Sequence, residues 1–173
     1  MTNYIGGLRL RLIKDSLYYM LNSSMDELGW FNSGLTTKPV TLTPEQLDTS
    51  IEIKPNIVGI SSEDMVQADI ELGSNLAENT WDIYIDILAE DEAVGIHLAG
   101  DIYDILRGKI SSIGRTKPKL DVYDLYPNNN DVIFTCQFEN IILHRVRNWS
   151  KPANKYWWVI GLEIIDTYYD DQL

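Results

Sequence analysis

The segment from Thr80 to Ala89 constrains the fold more than any other: Trp81, Ile83, Ile85 and Ile87 alternate with Asp82, Tyr84 and Asp86. Successive side chains of a strand point to opposite faces, so this stretch is a strand with one dry face and one wet face. A lone strand cannot bury its dry face. The chain must supply neighbouring strands and a layer that covers them.

The neighbours are legible by the same pattern. Val40 to Thr43 is a short strand closed by Pro44; Ser50 to Lys54 alternates, and Asn56 to Ile60 continues it after Pro55. Val66 to Leu72 precedes the central strand. Leu120 to Tyr126, Asp131 to Val146 and Lys155 to Tyr169 complete the set. Pro127-Asn128-Asn129-Asn130 is a turn, and Asn148-Trp149-Ser150-Lys151-Pro152 divides the last two strands into a long hairpin.

Two helices provide the cover. From Leu8 to Leu28, the residues Leu10, Ile13, Leu17, Leu21 and Leu28 recur at helical spacing, and Gly29 is a stop. From Glu92 to Ile110, the residues Val94, Leu98, Ile102, Ile105, Leu106 and Ile110 form one face, with Arg107 and Lys109 at the negative end of the dipole. The expected fold is therefore α+β: a mainly antiparallel β-sheet, two amphipathic helices packed on it, and a long C-terminal β-hairpin. With 173 residues, 45% hydrophobic, and neither repeats nor a low-complexity linker, a single domain over residues 1–173 is expected.

Charge narrows the functional classes. A formal net charge of −12 is unsuited to gripping nucleic acid, which needs clustered cations. A dozen acidic residues and no Lys or Arg lie between Pro55 and Leu106. Basic residues then gather at Arg107, Lys109, Arg115, Lys117 and Lys119, and again at Arg145, Arg147, Lys151 and Lys155. Such a division is either a solvated surface or a subunit with one acidic and one basic side, able to dock head to tail. The N-terminus lacks the apolar core of a signal peptide and no apolar stretch reaches membrane-spanning length, so a soluble, cytoplasmically made protein is expected.

The residues that carry chemistry do not assemble into a motif. Cys136 is the single cysteine and reads as a small buried hydrophobe. His97 and His144 have no partner at metal-binding spacing. Glu90-Asp91-Glu92 offers hard oxygen ligands, yet it falls where a strand turns into a helix, and there acids cap free N–H groups. Gly6-Gly7 is followed by no phosphate-binding pattern. No catalytic role, cofactor or metal is expected.

The aromatic residues point to contacts instead. Trp149, Tyr156, Trp157 and Trp158 surround the tip and return strand of the last hairpin, mixed with Arg147, Lys151 and Lys155. Trp157 and Trp158 must face opposite sides of a strand, so one of them is free to anchor an interface. A stacking platform for single-stranded nucleic acid competes, against the overall charge. Trp30 and Phe31 follow the first helix and are either a lid over the core or further interface anchors.

The order of elements then resembles a known family. An N-terminal amphipathic helix (Leu8 to Leu28), a polar loop with short strands, a Glu-Leu-Gly segment (Glu71 to Gly73), a strong strand (Trp81 to Ala89), a helix after an acidic turn and a long terminal hairpin are similar to the tail terminator or tail completion proteins of long-tailed bacteriophages, and to related minor neck and tail proteins. The resemblance implies a structural virion protein, assembled in the host cytoplasm, that forms a homohexameric ring at the end of the tail tube. The ring would stop tube polymerisation and join the tail to the head connector, with DNA passing through unbound. On that resemblance, Trp30, Phe31, Arg147, Trp149, Lys151 and Trp157 are candidates for the subunit or tube interface. Glu78, Glu90, Asp91 and Glu92 are candidates for a lumen that repels DNA. The alternatives are a head–tail connector, a tail tube or baseplate subunit, a generic binding adaptor, or a small metal-dependent hydrolase.

Overall fold

The computed structural model describes residues 2–31, 40–44, 56–69, 76–108, 119–124, 131–146 and 156–169. The elements run α1 (Thr2–Glu27), β1 (Val40–Thr43), β2 (Asn56–Asp69), β3 (Leu76–Ala89), α2 (Glu92–Leu106), β4 (Lys119–Tyr123), β5 (Val132–Arg145) and β6 (Tyr156–Tyr169). The strands form one curled six-stranded sheet in the order β1-β2-β3-β6-β5-β4. Every neighbouring pair is antiparallel except β1 and β2. The α+β fold is as the sequence implies.

One face of the sheet is dry. Trp81, Ile83, Ile85 and Ile87 of β3 lie opposite Ile164, Leu162, Ile160 and Trp158 of β6, and all are buried. Burying each such side chain is worth about 1.5–3 kcal/mol, so this double row is a major source of stability. Ile13, Leu17, Leu21 and Met25 of α1 join it, as do Leu98, Ala99, Ile102, Ile105 and Leu106 of α2. The spacing of three or four residues puts each set on one helical face.

Both helices end as their glycines dictate. Gly29 (φ 81°) and Gly108 (φ 70°) take the left-handed conformation that closes a helix without steric cost. At the end of α1, the Trp30 N–H donates to the Met25 carbonyl (3.0 Å) and the Gly29 N–H to that of Asp26 (2.9 Å). Gly108 ends α2 earlier than the expected Ile110, which lies outside the described residues. α1 begins earlier than expected, at Thr2, so that Gly6 and Gly7 lie within the helix.

Two strands expected to be separate are one. β2 runs unbroken from Asn56 to Asp69, and the gap expected between the two strands is bridged by a β-bulge between Ser62 and Met65. The expected strand Ser50 to Lys54 and the turns at 127–130 and 148–152 fall outside the described residues. The sequence shows no repeat, yet the order helix, short strand, long strand, long strand occurs twice, and the two halves join through β3 and β6.

Candidate assembly surface

The other face of the sheet carries no helix among the described residues, and it is wet along its middle. On β3 and β6 it presents Glu78, Asp82, Tyr84 and Asp86 beside Trp157, Val159, Gly161 and Glu163, none fully buried. β5 adds Ile142 opposite Gly161 and His144 opposite Val159. Between these rows lies a shallow depression of about 230 Å³. Its floor is the bare backbone of Gly161, over which the Tyr84 ring lies in van der Waals reach. Its rim is Asp82, Glu163, Asn140 and His144. Asn140 Nδ2 donates to Glu163 Oε2 at 2.6 Å.

Electrostatics on this face follow from its carboxylates. Partial burial, and then the negative charges of Glu63 and Asp82, push the Tyr84 phenol above its ordinary pKa. Burial also raises Asp86, partly offset by the hydrogen bond from Trp157 Nε1 to its Oδ1 (2.9 Å). A raised folded-state value means that the native protein holds this proton more tightly than the unfolded chain. Asp86 therefore costs no stability below the ordinary carboxylate range, and the cost grows as pH rises through the folded value. Asp86→Asn keeps an acceptor for Trp157. It is expected to raise the melting temperature by about 1–2 °C at pH 7, a modest effect because the site is partly solvent-screened. Near pH 3 the gain should vanish; melting scans at the two pH values check this.

The expected interface aromatics separate. Trp30 is only 4% exposed, and its Nε1 donates to Asp101 Oδ2 (2.9 Å), pinning the end of α1 to α2. It is the lid over the core, and its expectation as an interface anchor is corrected: a side chain this buried has no area to give a partner. Phe31 is half-buried against the same core. Trp157 and Trp158 do face opposite sides. Trp158 is buried under α2, whereas Trp157 is half-buried on the helix-free face. Arg147, Trp149 and Lys151 lie outside the described residues.

The four acids expected at a lumen do not form one patch. Glu78 lies near the start of β3, and Glu90, Asp91 and Glu92 follow its end, roughly 40 Å away at the usual rise of a strand. Asp91 is the N-cap of α2: its Oδ1 accepts from the N–H groups of Ala93 (2.8 Å) and Val94 (3.2 Å). Glu92 pairs with Arg145 of β5 at 2.6 Å. These two acids hold the fold, as the capping explanation requires.

No group of three or more His, Cys, Asp or Glu able to hold a metal ion occurs among the described residues. Cys136 is buried, and burial pushes its thiol far above the ordinary range, so it behaves as a small apolar side chain. His97 is exposed on α2 and His144 is exposed on β5.

The strand Asp131 to Val146 was expected, and what the sequence reading missed is that β5 exposes apolar side chains. Val132 (49%), Ile133 (50%), Ile142 (50%) and Leu143 (37%) are all open to solvent, four of the seven large exposed hydrophobics among the described residues. The signal was present in the unbroken apolar triplet Ile141-Ile142-Leu143, which cannot be buried on one face of a strand. No protein-family model matches the chain, and no curated protein is found to be similar to it in sequence.

Proposed function

We propose that this chain is a structural virion subunit that assembles with copies of itself into a closed ring, in the manner of a phage tail terminator. The observation that carries the reading is β5, a long strand with apolar side chains exposed at both ends. Apolar area left open on a folded subunit is stabilised by covering it with another chain. In this reading the ring, a hexamer, sits on the tail tube protein, ends its growth and presents a surface to the head connector. The helix-free face, with Glu78, Asp82, Asp86 and Glu163, turns towards the lumen. Like charge there keeps passing DNA from adhering.

Molar mass by light scattering across concentration and salt tests the proposal. A species of about six chains that stops growing is the expected result, since a closed ring satisfies all its contacts. Open-ended growth would favour a tube subunit instead. A monomer at every concentration would overturn self-assembly of the free chain and favour an adaptor.

A further inference from the structure

Two surfaces on opposite sides of the sheet carry opposite charge without compensation. The first is the depression on the helix-free face, where the carboxylates stand in register. Asp82 of β3 is directly opposite Glu163 of β6, and Glu163 is directly opposite Glu139 of β5. Like charges in opposed positions repel, so the row costs the isolated subunit stability. Glu163 accepts from Asn140, whereas Asp82 and Glu139 form no hydrogen bond or ion pair with a described residue. No Lys or Arg lines the depression. Its walls are apolar or aromatic: Tyr84, Val159 and Ile142, the last 50% exposed.

The second surface is the outer stripe of α2. Ile96, Gly100, Tyr103 and Arg107 recur at steps of four, three and four, so they share one face of the helix and its C-cap. Leu98, Ile102 and Ile105 turn the other way, into the core. Ile96 is 52% exposed. A Cβ on Gly100 would meet nothing within 4 Å, so no packing in the subunit explains a glycine where alanine favours the helix. Bare backbone there allows another chain to come close.

Arg107 is the charge on this stripe. Its Nη1 donates to the Tyr103 hydroxyl (3.2 Å), and its guanidinium lies 5.4 Å from that ring's centroid. It is exposed and forms no ion pair with a described acid. Of the acids on α2, Glu92 is taken by Arg145, Asp101 by Trp30, and Asp104 is also engaged. Because α2 packs on the dry face, Arg107 cannot reach the depression of its own chain.

We propose that the outer stripe of α2 in one copy docks on the helix-free face of the next, with Arg107 between Asp82 and Glu163. The arginine stem then packs on Ile142 and Val159 while its guanidinium meets the carboxylates. Four helical residues rise about 6 Å and two strand residues about 6.6 Å, so a helix lying along β6 sets Tyr103 over Gly161. This rests on the self-assembly reading and specifies where the copies meet. Asp82 and Glu163 take the neighbour's cation, and Glu78 and Asp86 keep the lumen. The two surfaces differ, so each copy carries one of each and addition continues until a ring closes.

Charge reversal in two separate chains tests this. Arg107→Glu alters only the stripe, and Asp82→Lys with Glu163→Lys alters only the depression. By light scattering at low salt, the unchanged protein should be assembled and each variant alone a monomer, since every contact then sets like charges together. Mixed one to one, the two variants should assemble again as alternating copies, which a ring of even number allows. Gly100→Leu should also be a monomer, with no fall in melting temperature. Variants that assemble like the unchanged protein would overturn these surfaces and leave the ring reading intact. Variants that melt cooperatively yet stay monomeric when mixed would overturn the charge pairing in the same way. An unchanged protein that is itself a monomer, with a monomeric mixture, would overturn both and leave the depression to a foreign cationic partner.

Discussion

Replacing Gly95 by alanine is expected to destabilise the protein by about 2 kcal/mol, against the usual benefit of alanine in a helix. In an unconstrained helix this exchange gains roughly 1 kcal/mol, because glycine loses more backbone freedom on folding. Here a Cβ would overlap Cζ3, Cη2 and Cε3 of Trp158. The ring cannot move aside easily. Trp158 is 4% exposed, its backbone is fixed between β3 and β5, and Tyr156 lies tilted beside it with centroids 6.1 Å apart. Overpacking of this kind costs about 1–3 kcal/mol or more, and that outweighs the helical gain. The melting temperature should fall by about 4–8 °C. In a Trp158→Leu background the same change should be neutral or mildly stabilising, because the room is restored. A double-mutant cycle by thermal or urea unfolding measures the coupling, expected at 1 kcal/mol or more. If Gly95→Ala raised the melting temperature of the otherwise unchanged protein, the close packing of α2 on β6 would be wrong.

That contact illustrates which features local sequence reveals. Alternation in Trp81 to Ile87 gave both faces of β3, and Gly29 marked the end of α1, because each depends on neighbours within a few residues. The bulges did not show. Ser61 to Asp64 separates two apolar runs, and polarity alone does not tell a break between strands from a strand that takes in one extra residue. Nor did the pairing of β3 with β6, which brings together strands far apart in the chain. No local period encodes a neighbour at that separation.

The candidate surface was legible only in part. The acidic turn at Glu90 to Glu92 was rightly given a capping explanation, and Asp91 provides the cap. Trp30 was ambiguous because a tryptophan after a helix serves equally as a lid or an anchor; its bond to Asp101, 71 positions away, decides for the lid. How much of a long neighbour each short strand covers did not show either: β1 pairs with β2 only at Asn56 to Gly59, and β4 with β5 only at Val132 to Gln137. Strand lengths in sequence do not say which half of a longer neighbour a short strand will cover.

Arg9 teaches the same lesson and carries the largest expected effect: Arg9→Leu should cost about 3–5 kcal/mol. In the sequence Arg9 falls off the apolar stripe of α1, with no partner indicated. In the fold its Nε and Nη2 donate to Asp166 Oδ2 and Oδ1, each at 2.6 Å, and its guanidinium lies 4.1 Å above the Phe134 ring. Asp166 is 1% exposed on the dry face of β6, in register with Asn79, whose Oδ1 is buried without a hydrogen-bond partner. The clue in the sequence was the row Trp158, Ile160, Leu162, Ile164, Asp166: a charge in the dry register of a strand demands a cation from elsewhere. Removing Arg9 leaves that carboxylate buried and uncompensated, which is why the cost is large. Arg9→Lys should lose less, since it keeps the charge but not the two-pronged geometry. The double variant Arg9→Leu with Asp166→Leu should recover most of the loss, because the pair itself contributes little net stability once both desolvation costs are removed. Urea unfolding of the two single variants and the double variant separates the cases. Equal destabilisation of the double variant and Arg9→Leu would mean that the cost comes from lost packing on Phe134 and not from an orphaned charge.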